Sequence, residues 1–380
     1  MRRVLLTGAA GLLGGEIAAQ LVARGFSVTA LVHRATAVLG NDGAPVPVAR
    51  IVHGDVAVAR FGWDADTWVV EASAHDLVIH CAAVTAFDAD PGLLARVNVG
   101  GTATALALAL AGAGGMGFLH VSTAYVNAAH EGVVREDAPP SGVGLNAYAA
   151  SKAAAEALVR AAPIRTVIAR PSIVVGDARG RVRRFDGFYL LFKALAEGRL
   201  RTMTATPGAT LDLLPIDHVG GGIADLAERF GRAAGGVYHL VSGAPTPVEA
   251  FPVTLARFPG LCVPGMVTPA AFDPATLPAT ERRLFARFAA PYAPYFARAP
   301  CFDDSAMRAI TGRQPPALGT DWWDRLIDYC LSAGFIRDRR AGSGRVNGTG
   351  APCGDGPHAS RSPPKGIASD RPGVSSAGSR

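Results

Sequence analysis

Hydrophobic and polar positions along this chain fall into two rhythms that take turns. Short runs rich in β-branched residues ("RVLLT", "SVTALV", "ARIVHG", "DLVIHCAA", "GFLHVST", "RTVIARPS") are separated by longer stretches with helical spacing. The helical stretches include one after Gly11, one over residues 91 to 111 and an alanine-rich one around "NAYAASKAAAE", residues 146 to 156. The strand runs are apolar almost throughout, as strands covered on both faces are. Alternating β and α of this kind predicts an α/β fold, a doubly wound parallel sheet with helices on each side.

Beyond Gly176 the rhythm changes. A basic loop, "GDARGRVRRFDG", leads to a helix predicted over residues 186 to 198, a loop around "TPGAT" and the approach "DLLPIDHV". Asp217 is placed there to N-cap a helix running to about Phe230, and "GGVYHLVSG" reads as one further strand. Residues 250 to 336 are rich in Pro, Phe and Arg, with helical patterns near 279–290 and 321–333. They predict a smaller, mostly helical cap of the sort that closes over a substrate. From about residue 341 the chain is Gly, Ser, Pro and Arg without apolar periodicity and cannot bury enough to order itself. The expected organisation is a sheet domain over residues 1–242 with substrate-side insertions from about 177 to 235, a helical cap over 243–337, and a disordered tail over 338–380.

Composition narrows the class. With 380 residues and 49% hydrophobic content the chain can bury a sizeable core. Its five cysteines (Cys81, Cys262, Cys301, Cys330, Cys353) are scattered, with no CxxC pair, which argues against a disulfide framework or a zinc site and for a reducing, cytoplasmic setting. The start "MRRVLLTGAAG" has the arginines of a signal peptide, but Thr7 and Gly8 break its apolar run, so it reads as mature sequence. No stretch reaches the roughly 20 apolar residues of a membrane span, "TATALALALAGAGG" being short, and no integral membrane association is expected. The net charge is +6, but residues 341–380 hold five Lys/Arg against two Asp, so half of it lies in the tail and a nucleic-acid partner is not expected.

Candidate chemistry begins at the first strand. "VLLTGAAGLLGGE" places Gly8, Gly11 and Gly14 where a strand turns into a helix, a spacing that lets the backbone approach a pyrophosphate lying on the helix N-terminus. An NAD site would follow the second strand with an acidic residue for the ribose 2'-hydroxyl; "LVHRAT" offers His33 and Arg34 instead, which suit a 2'-phosphate. NADP(H) is therefore expected in preference to NAD. Asp55 in "HGDV" is placed either to accept from an adenine amino group or to cap its own loop.

Tyr148 and Lys152 are four apart, so on a helix they share a face. A phenol near pKa 10 is a poor acid–base group at neutral pH, and a neighbouring ammonium favours its phenolate. Lowering it by about 3 units needs roughly 4 kcal/mol, which two charges ~4 Å apart supply at an effective dielectric of ~20. A strand-end hydroxyl should polarise the substrate carbonyl; "FLHVSTAYVN" supplies Thr123, with Ser122 as second choice.

TGxxGxxG, "CAA" after the fourth strand, Asn98 in the next helix, a strand-end Ser/Thr and YxxxK together resemble an extended short-chain dehydrogenase/reductase, from Val4 to about Ser242. Within that superfamily "VIHCAAVTAFD", "VNVGGT", "LHVSTAYVN", "YAASKAAAEALV" and "IARPSIVVGD" are similar to the fatty acyl-CoA reductase and thioester reductase branch, the male-sterility type. The resemblance implies a Rossmann-type domain over 1–242 and Thr123, Tyr148 and Lys152 as catalytic residues. It implies that Cys81, Ala82 and Ala83 line the cofactor, that Pro171, Ser172 and Ile173 lie beside the nicotinamide, and that Asn98 sits under the active-site helix. Thr7, Leu12, Leu13 and Val56 join the three loop glycines, His33, Arg34, Asp55, Tyr148 and Lys152 in the cofactor-binding set.

The activity implied is NADPH-dependent reduction of an acyl thioester, on CoA or an acyl carrier protein, to an aldehyde or alcohol. Two other readings stay open: the same fold acting on a sugar nucleotide or sterol-like alcohol, and an NADP-sensing module without turnover, against which the intact Thr, Tyr and Lys set argues. The basic loop with Arg179, Arg181, Arg183 and Arg184 suits a nucleotide or a CoA phosphate equally, and Gly15 is a glycine beyond the usual loop. His80, His120, His218 and His239 lack metal-ligand spacing and read as satisfied structural histidines, so no metal is expected. Trp322 and Trp323 read as anchors of the cap, and the superfamily leaves a homodimer open.

Overall fold

A computed structural model of the chain describes residues 2–112, 115–127, 132–141 and 145–339. Residues 340–380, which carry nearly all of the expected tail and Cys353, lie outside the described residues. Seven strands, β1 (Arg3–Thr7), β2 (Ser27–Val32), β3 (Arg50–His53), β4 (Leu77–His80), β5 (Gly117–Val121), β6 (Thr166–Pro171) and β7 (Val237–Leu240), form one parallel sheet in the order β7-β6-β5-β4-β1-β2-β3. That order reverses at β1, which opens a crevice at the carboxyl ends of β1 and β4.

The apolar runs are buried on both faces because successive side chains alternate. Val4 and Leu6 join Val28, Ala30, Leu77, Ile79, Leu119, Val167 and Ala169 in one core. Leu5, Leu31, Val78, Phe118 and Ile168 point into another. The first core is closed by α1 (Leu12–Ala23) through Ile17 and Leu21. The second is closed by α2 (Ala65–Ala74) and by the helical run α3 (Pro91–Ala111), through Ala72, Ala105, Leu108 and Ala109. Behind the sheet's end lies α4 (Ala147–Ala161), whose Val159 also enters the second core.

Within α3 the residues Ala95–Gly100 form a π-turn. Among the described residues α3 is also the helix long and apolar enough by composition to cross a membrane, which amends the expectation that no stretch reaches that length. The apolar run "TATALALALAGAGG" is short by itself, and the 21 residues are reached because the helix begins at Pro91.

The insertions and the C-terminal region build one further core together. It combines α5 (Phe188–Ala196) with α7 (Ala250–Ala256), α8 (Ala279–Leu284) and α10 (Thr320–Ser332), sharing Phe188, Phe192, Phe251, Phe285, Trp322 and Trp323. Two parallel strand pairs stitch the segments: Gly265–Val267 on Thr202–Thr204, and Cys301–Phe302 on Val133–Val134. Trp322 donates from Nε1 to the Asp177 carbonyl (3.0 Å), so it anchors the basic loop as well as its own helix.

The helix expected at Asp217 starts earlier. Leu213–Pro215 pairs as a strand with Ile173–Val175, and α6 (Ile216–Glu228) begins directly after Pro215, which stands at its N-cap. Asp217 is in the first turn, where its carboxylate accepts from His218 N (3.0 Å) and Ala178 N (3.2 Å). The helix α6 then lies on α1 in the first core, with α9 (Ser305–Thr311) adding Met307.

The additional glycine of the first helix has a packing reason. A Cβ on Gly15 would stand 2.0 Å from the Leu39 carbonyl oxygen, so glycine alone lets the segment after β2 lie against α1. Alanine inside a helix is worth ~1 kcal/mol over glycine, and a backbone oxygen that cannot step aside costs about 1–3 kcal/mol. The clash should win: Gly15→Ala is expected to lose up to about 2 kcal/mol of unfolding free energy in a denaturant titration. A variant as stable as the parent, or more so, would contradict this account of the contact.

Candidate active site

The turn from β1 into α1 sets the floor of the crevice. Gly8 has φ +71°, and a Cβ there would meet Ala82 N at 2.6 Å, so this turn and the end of β4 touch through backbone. Gly11 stands at the N-cap of α1 without any side-chain cap, which leaves the first amides of a 12-residue helix for another acceptor. Thr7, expected to bind cofactor, instead faces sideways across the sheet. Its hydroxyl meets His80 Nδ1 at 2.8 Å and accepts from Ala82 N at 3.2 Å, and it does not line the cavity.

A cavity of about 570 Å³ runs along the carboxyl ends of the strands. It is lined by Gly8, Gly11, Leu12, Leu13 and Gly14 from the loop, by His33, Asp55 and Val56 after β2 and β3, and by Cys81, Ala82 and Ala83 after β4. Ser122 and Thr123 after β5, Tyr148 and Lys152 from α4, and Pro171, Ser172 and Ile173 at the end of β6 complete that set. Arg34 is exposed and does not line it. At the end of β2, His33 Nε2 lies 3.8 Å from Asp55 Oδ2. Asp55 fills both expected roles, since it lines the cavity and also caps its own loop by accepting from Ala57 N (2.9 Å).

The helix α4 is started by Asn146, whose Oδ1 accepts from Ala149 N (2.9 Å) while its Nδ2 donates to the Tyr295 hydroxyl (3.1 Å). Lys152, one turn beyond Tyr148, is buried and donates from Nζ to the Val121 carbonyl (2.7 Å). Glu156, one further turn on, forms a fully buried fork with Arg170 of β6, at 2.8 and 2.7 Å. Arg170 also donates to the carbonyls of Glu136 and Ala138. Burial presses the Glu156 carboxyl upward, but Arg170, with help from Ser122 and Arg160, holds it below its ordinary value. Both strand-end hydroxyls lie on the cavity: Ser122 Oγ is buried near Glu156 without a hydrogen-bond partner among the described residues, and Thr123 Oγ1 accepts from Tyr125 N (3.3 Å).

Burial governs the protons of the site. It pushes the Tyr148 phenol well up, helped by the Cys81 thiol, which is itself raised to about 11. Lys152 is pushed down to about 8, although Cys81 and Glu156 pull the other way. In the protein by itself burial sets the state of the phenol, and the Lys152 ammonium is turned to a backbone carbonyl.

Asn98 is a brace and does not line the cavity. Its Oδ1 accepts from Val84 N (2.8 Å), and its Nδ2 donates to Val84 O (3.0 Å) and Ser151 Oγ (2.9 Å), whose hydroxyl in turn donates to the Tyr148 carbonyl (2.7 Å). The loop after β4 and the first turn of α4 are so tied through one amide. Of the four histidines, His80 and His239 are partnered at Nδ1, by Thr7 and by the Asp303 carbonyl. His120 departs from expectation: it stacks on His80 (5.7 Å between centroids) with neither ring nitrogen hydrogen-bonded among the described residues.

The sequence reading leaves out an aromatic wall. Phe87 stacks on Tyr295 (5.0 Å, 4° between planes) and lies 5.8 Å from the Tyr148 ring, while Tyr125 closes on Tyr295 at 4.8 Å and Tyr292 on Phe87 at 5.0 Å. All five rings line the cavity. The repeated tyrosine of "PYAPYF" was the signal for two of them; nothing local marks Phe87 or Tyr125.

Comparison with known proteins agrees with this architecture. Residues 46–223 match a family model described as male sterility protein. Over 176 residues the chain is 31% identical to fatty acyl-CoA reductase 1 of Xenopus laevis and 34% identical to that of Gallus gallus, in each case over 38% of this chain and 34% of the relative. The chain thus spans about a third of the length of these curated relatives. It is 29% identical over 237 residues to the hybrid PKS-NRPS synthetase pvhA of Talaromyces variabilis, covering 60% of this chain and 6% of that one. Among solved structures, the terminal R domain from the myxalamid PKS-NRPS biosynthetic pathway superposes with a TM-score of 0.75 at 23% identity, over 89% of this chain and 92% of the other. MoeE5 in complex with UDP-glucose and NAD gives 0.62 at 20% identity, over 87% and 99%. Residues 46–223 are thus similar to the male sterility protein family, the partial relatives include fatty acyl-CoA reductases, and the fold is shared with the terminal R domain.

Proposed function

We propose that this chain is an NADPH-dependent reductase of an acyl thioester, carried on CoA or on a carrier protein, giving an aldehyde or, after a second round, an alcohol. The observation that carries the reading is the convergence of Thr123, Tyr148 and Lys152 on the cavity opened by the glycine loop at the reversal of strand order. The uncapped start of α1 and its open glycine turn fit a dinucleotide pyrophosphate. The substrate class follows the relatives, whose name specifies a fatty acyl-CoA. For NADPH over NADH the support is that β2 ends in His33 and Arg34 and not in a carboxylate.

When bound, the dinucleotide supplies hydride to the carbonyl carbon. Thr123 and Tyr148 donate hydrogen bonds to the carbonyl oxygen and hold it in place. Burial keeps the phenol protonated, and it yields its proton to that oxygen as negative charge develops there. The buried Lys152 ammonium stabilises the phenolate left behind. A thioester reduced in this way is a hemithioacetal, which moves its hydroxyl proton to sulfur as the carbon–sulfur bond breaks, releasing aldehyde and thiol.

Tyr148→Phe keeps the ring beside Phe87 and removes the proton, so it should lower kcat by roughly 10²–10⁴-fold. The measurement is loss of NADPH absorbance against a panel of acyl-CoAs, aldehydes and UDP-sugars; undiminished turnover in the variant would sink the mechanism, and turnover of UDP-sugars alone would sink the substrate class. The lysine gives a pH prediction. Its folded pKa is depressed, so the ammonium is present below pH about 8 and lost above it. The pH profile of kcat/KM for reduction is therefore expected to be flat on the acid side of that value and to decline through it, since this parameter reports groups of the free protein. A decline delayed to the ordinary lysine range would show that Lys152 is not the group.

A further inference from the structure

Two features of the sequence find no role in the reading above, the glycine at position 15 and the basic loop "GDARGRVRRFDG". The fold brings them to one place. The loop is held from behind by α10, where the Trp322 indole donates to Asp177 O (3.0 Å) and the Tyr329 hydroxyl to Val182 O (3.1 Å). In front it meets the segment that Gly15 admits against α1: Asn41 donates to Arg181 O (3.1 Å) and accepts from Arg183 N (3.3 Å). Arg183, fixed in this way, reaches the glycine turn and donates from Nη2 to the carbonyl of Gly11 (3.1 Å), the residue at the N-cap of α1.

Its neighbours are otherwise engaged. Arg181 pairs with Asp177 (2.9 Å) and Arg184 with Asp186 (2.7 Å), whereas Arg183 has no carboxylate partner among the described residues and its Nε is buried without an acceptor. Burial and the nearby Arg184 both work against its charged form. The N-terminus of a helix is itself positive, so a guanidinium placed beside it is unfavourable unless an anion lies within reach of both. The expected cofactor has such an anion where the glycine turn faces the cavity; Arg183 reaches that turn from its edge, outside the cavity wall that its neighbour Arg184 lines.

We propose that Arg183 binds the pyrophosphate of the dinucleotide together with the N-terminus of α1, making the basic loop a strap that retains the cofactor. The proposal rests on the dinucleotide reading of the cavity and is independent of the thioester. It also separates two anions of NADPH: Arg183 serves the pyrophosphate, which NADH shares, and leaves the 2'-phosphate to the end of β2.

The test is direct binding of NADPH and of NADH to the full chain by titration calorimetry, with melting temperatures recorded alongside. Arg183→Gln should weaken both nucleotides by the same factor, roughly tenfold to a hundredfold, and Arg183→Lys, which keeps the charge but not the fork, should recover part of the loss for both. Loss for NADPH alone would assign Arg183 to the 2'-phosphate and overturn the proposal. No loss for either would reduce Arg183 to a tie between loop and turn. Should Arg183→Gln fail to fold, the lysine variant must still show a parallel, smaller loss for both nucleotides, and equal affinity to the parent would count against the clamp. A parent protein that binds neither nucleotide overturns the clamp with the cofactor reading, whereas one that binds both and reduces no thioester leaves the clamp standing and fells only the substrate.

Discussion

The buried ion pair between Glu156 and Arg170 is the fixed point on which the site depends. Taking two charges out of water costs several kcal/mol for each, and only a full set of partners returns it. Here the fork geometry and two backbone carbonyls provide them. Tyr148, Lys152 and Glu156 are spaced four apart on α4 and so lie along one stripe. Locking the last of them to β6 sets the rotation of the helix and with it the direction of the other two. The same stripe passes from a buried carboxylate to a buried amine to a cavity-facing phenol, so one helix face supplies both the anchor and the chemistry.

Away from that pair, the wall beside Tyr148 is made of aromatic rings. Phe87, Tyr125, Tyr292 and Tyr295 close one side, and the thiol of Cys81 is raised to about 11 and stays protonated. In such a setting burial decides which proton sits where: it favours a neutral tyrosine strongly and lowers the lysine to about 8. A group of this kind suits a step in which charge appears on a substrate oxygen and must be met at once.

Much of this was legible in the sequence, for physical reasons that also mark where legibility stops. Strand runs, the glycine turn and the Tyr148–Lys152 spacing are local patterns, and each came out where expected. Thr7 was misjudged because the alternation of β1 turns its side chain into the sheet, toward His80, and sequence does not say which neighbour a strand will have. Arg34 was given a role that its exposed position at the end of β2 does not by itself supply. A charge four residues from Tyr148 can be read from sequence, whereas the burial that raises its phenol cannot. Phe87 and Tyr295 meet from segments some two hundred positions apart, and only the folded chain pairs them.

The π-turn at Ala95–Gly100 has a consequence for how such a site can change over time. Each residue of an α-helix advances the chain by ~100° about its axis, so a turn holding one residue more resets the phase between the two parts of α3. The part after it is bound to the sheet through Ala105 and Leu108; the part before it leads back to the loop that carries Phe87. Deleting a single residue there would leave the sheet face untouched while swinging Asn98 away from Val84 and Ser151 and releasing the loop it braces. A gain or loss of one codon in this turn is thus a small genetic step with a large effect on the aromatic wall, and a route by which proteins sharing the same sheet can come to shape that wall differently.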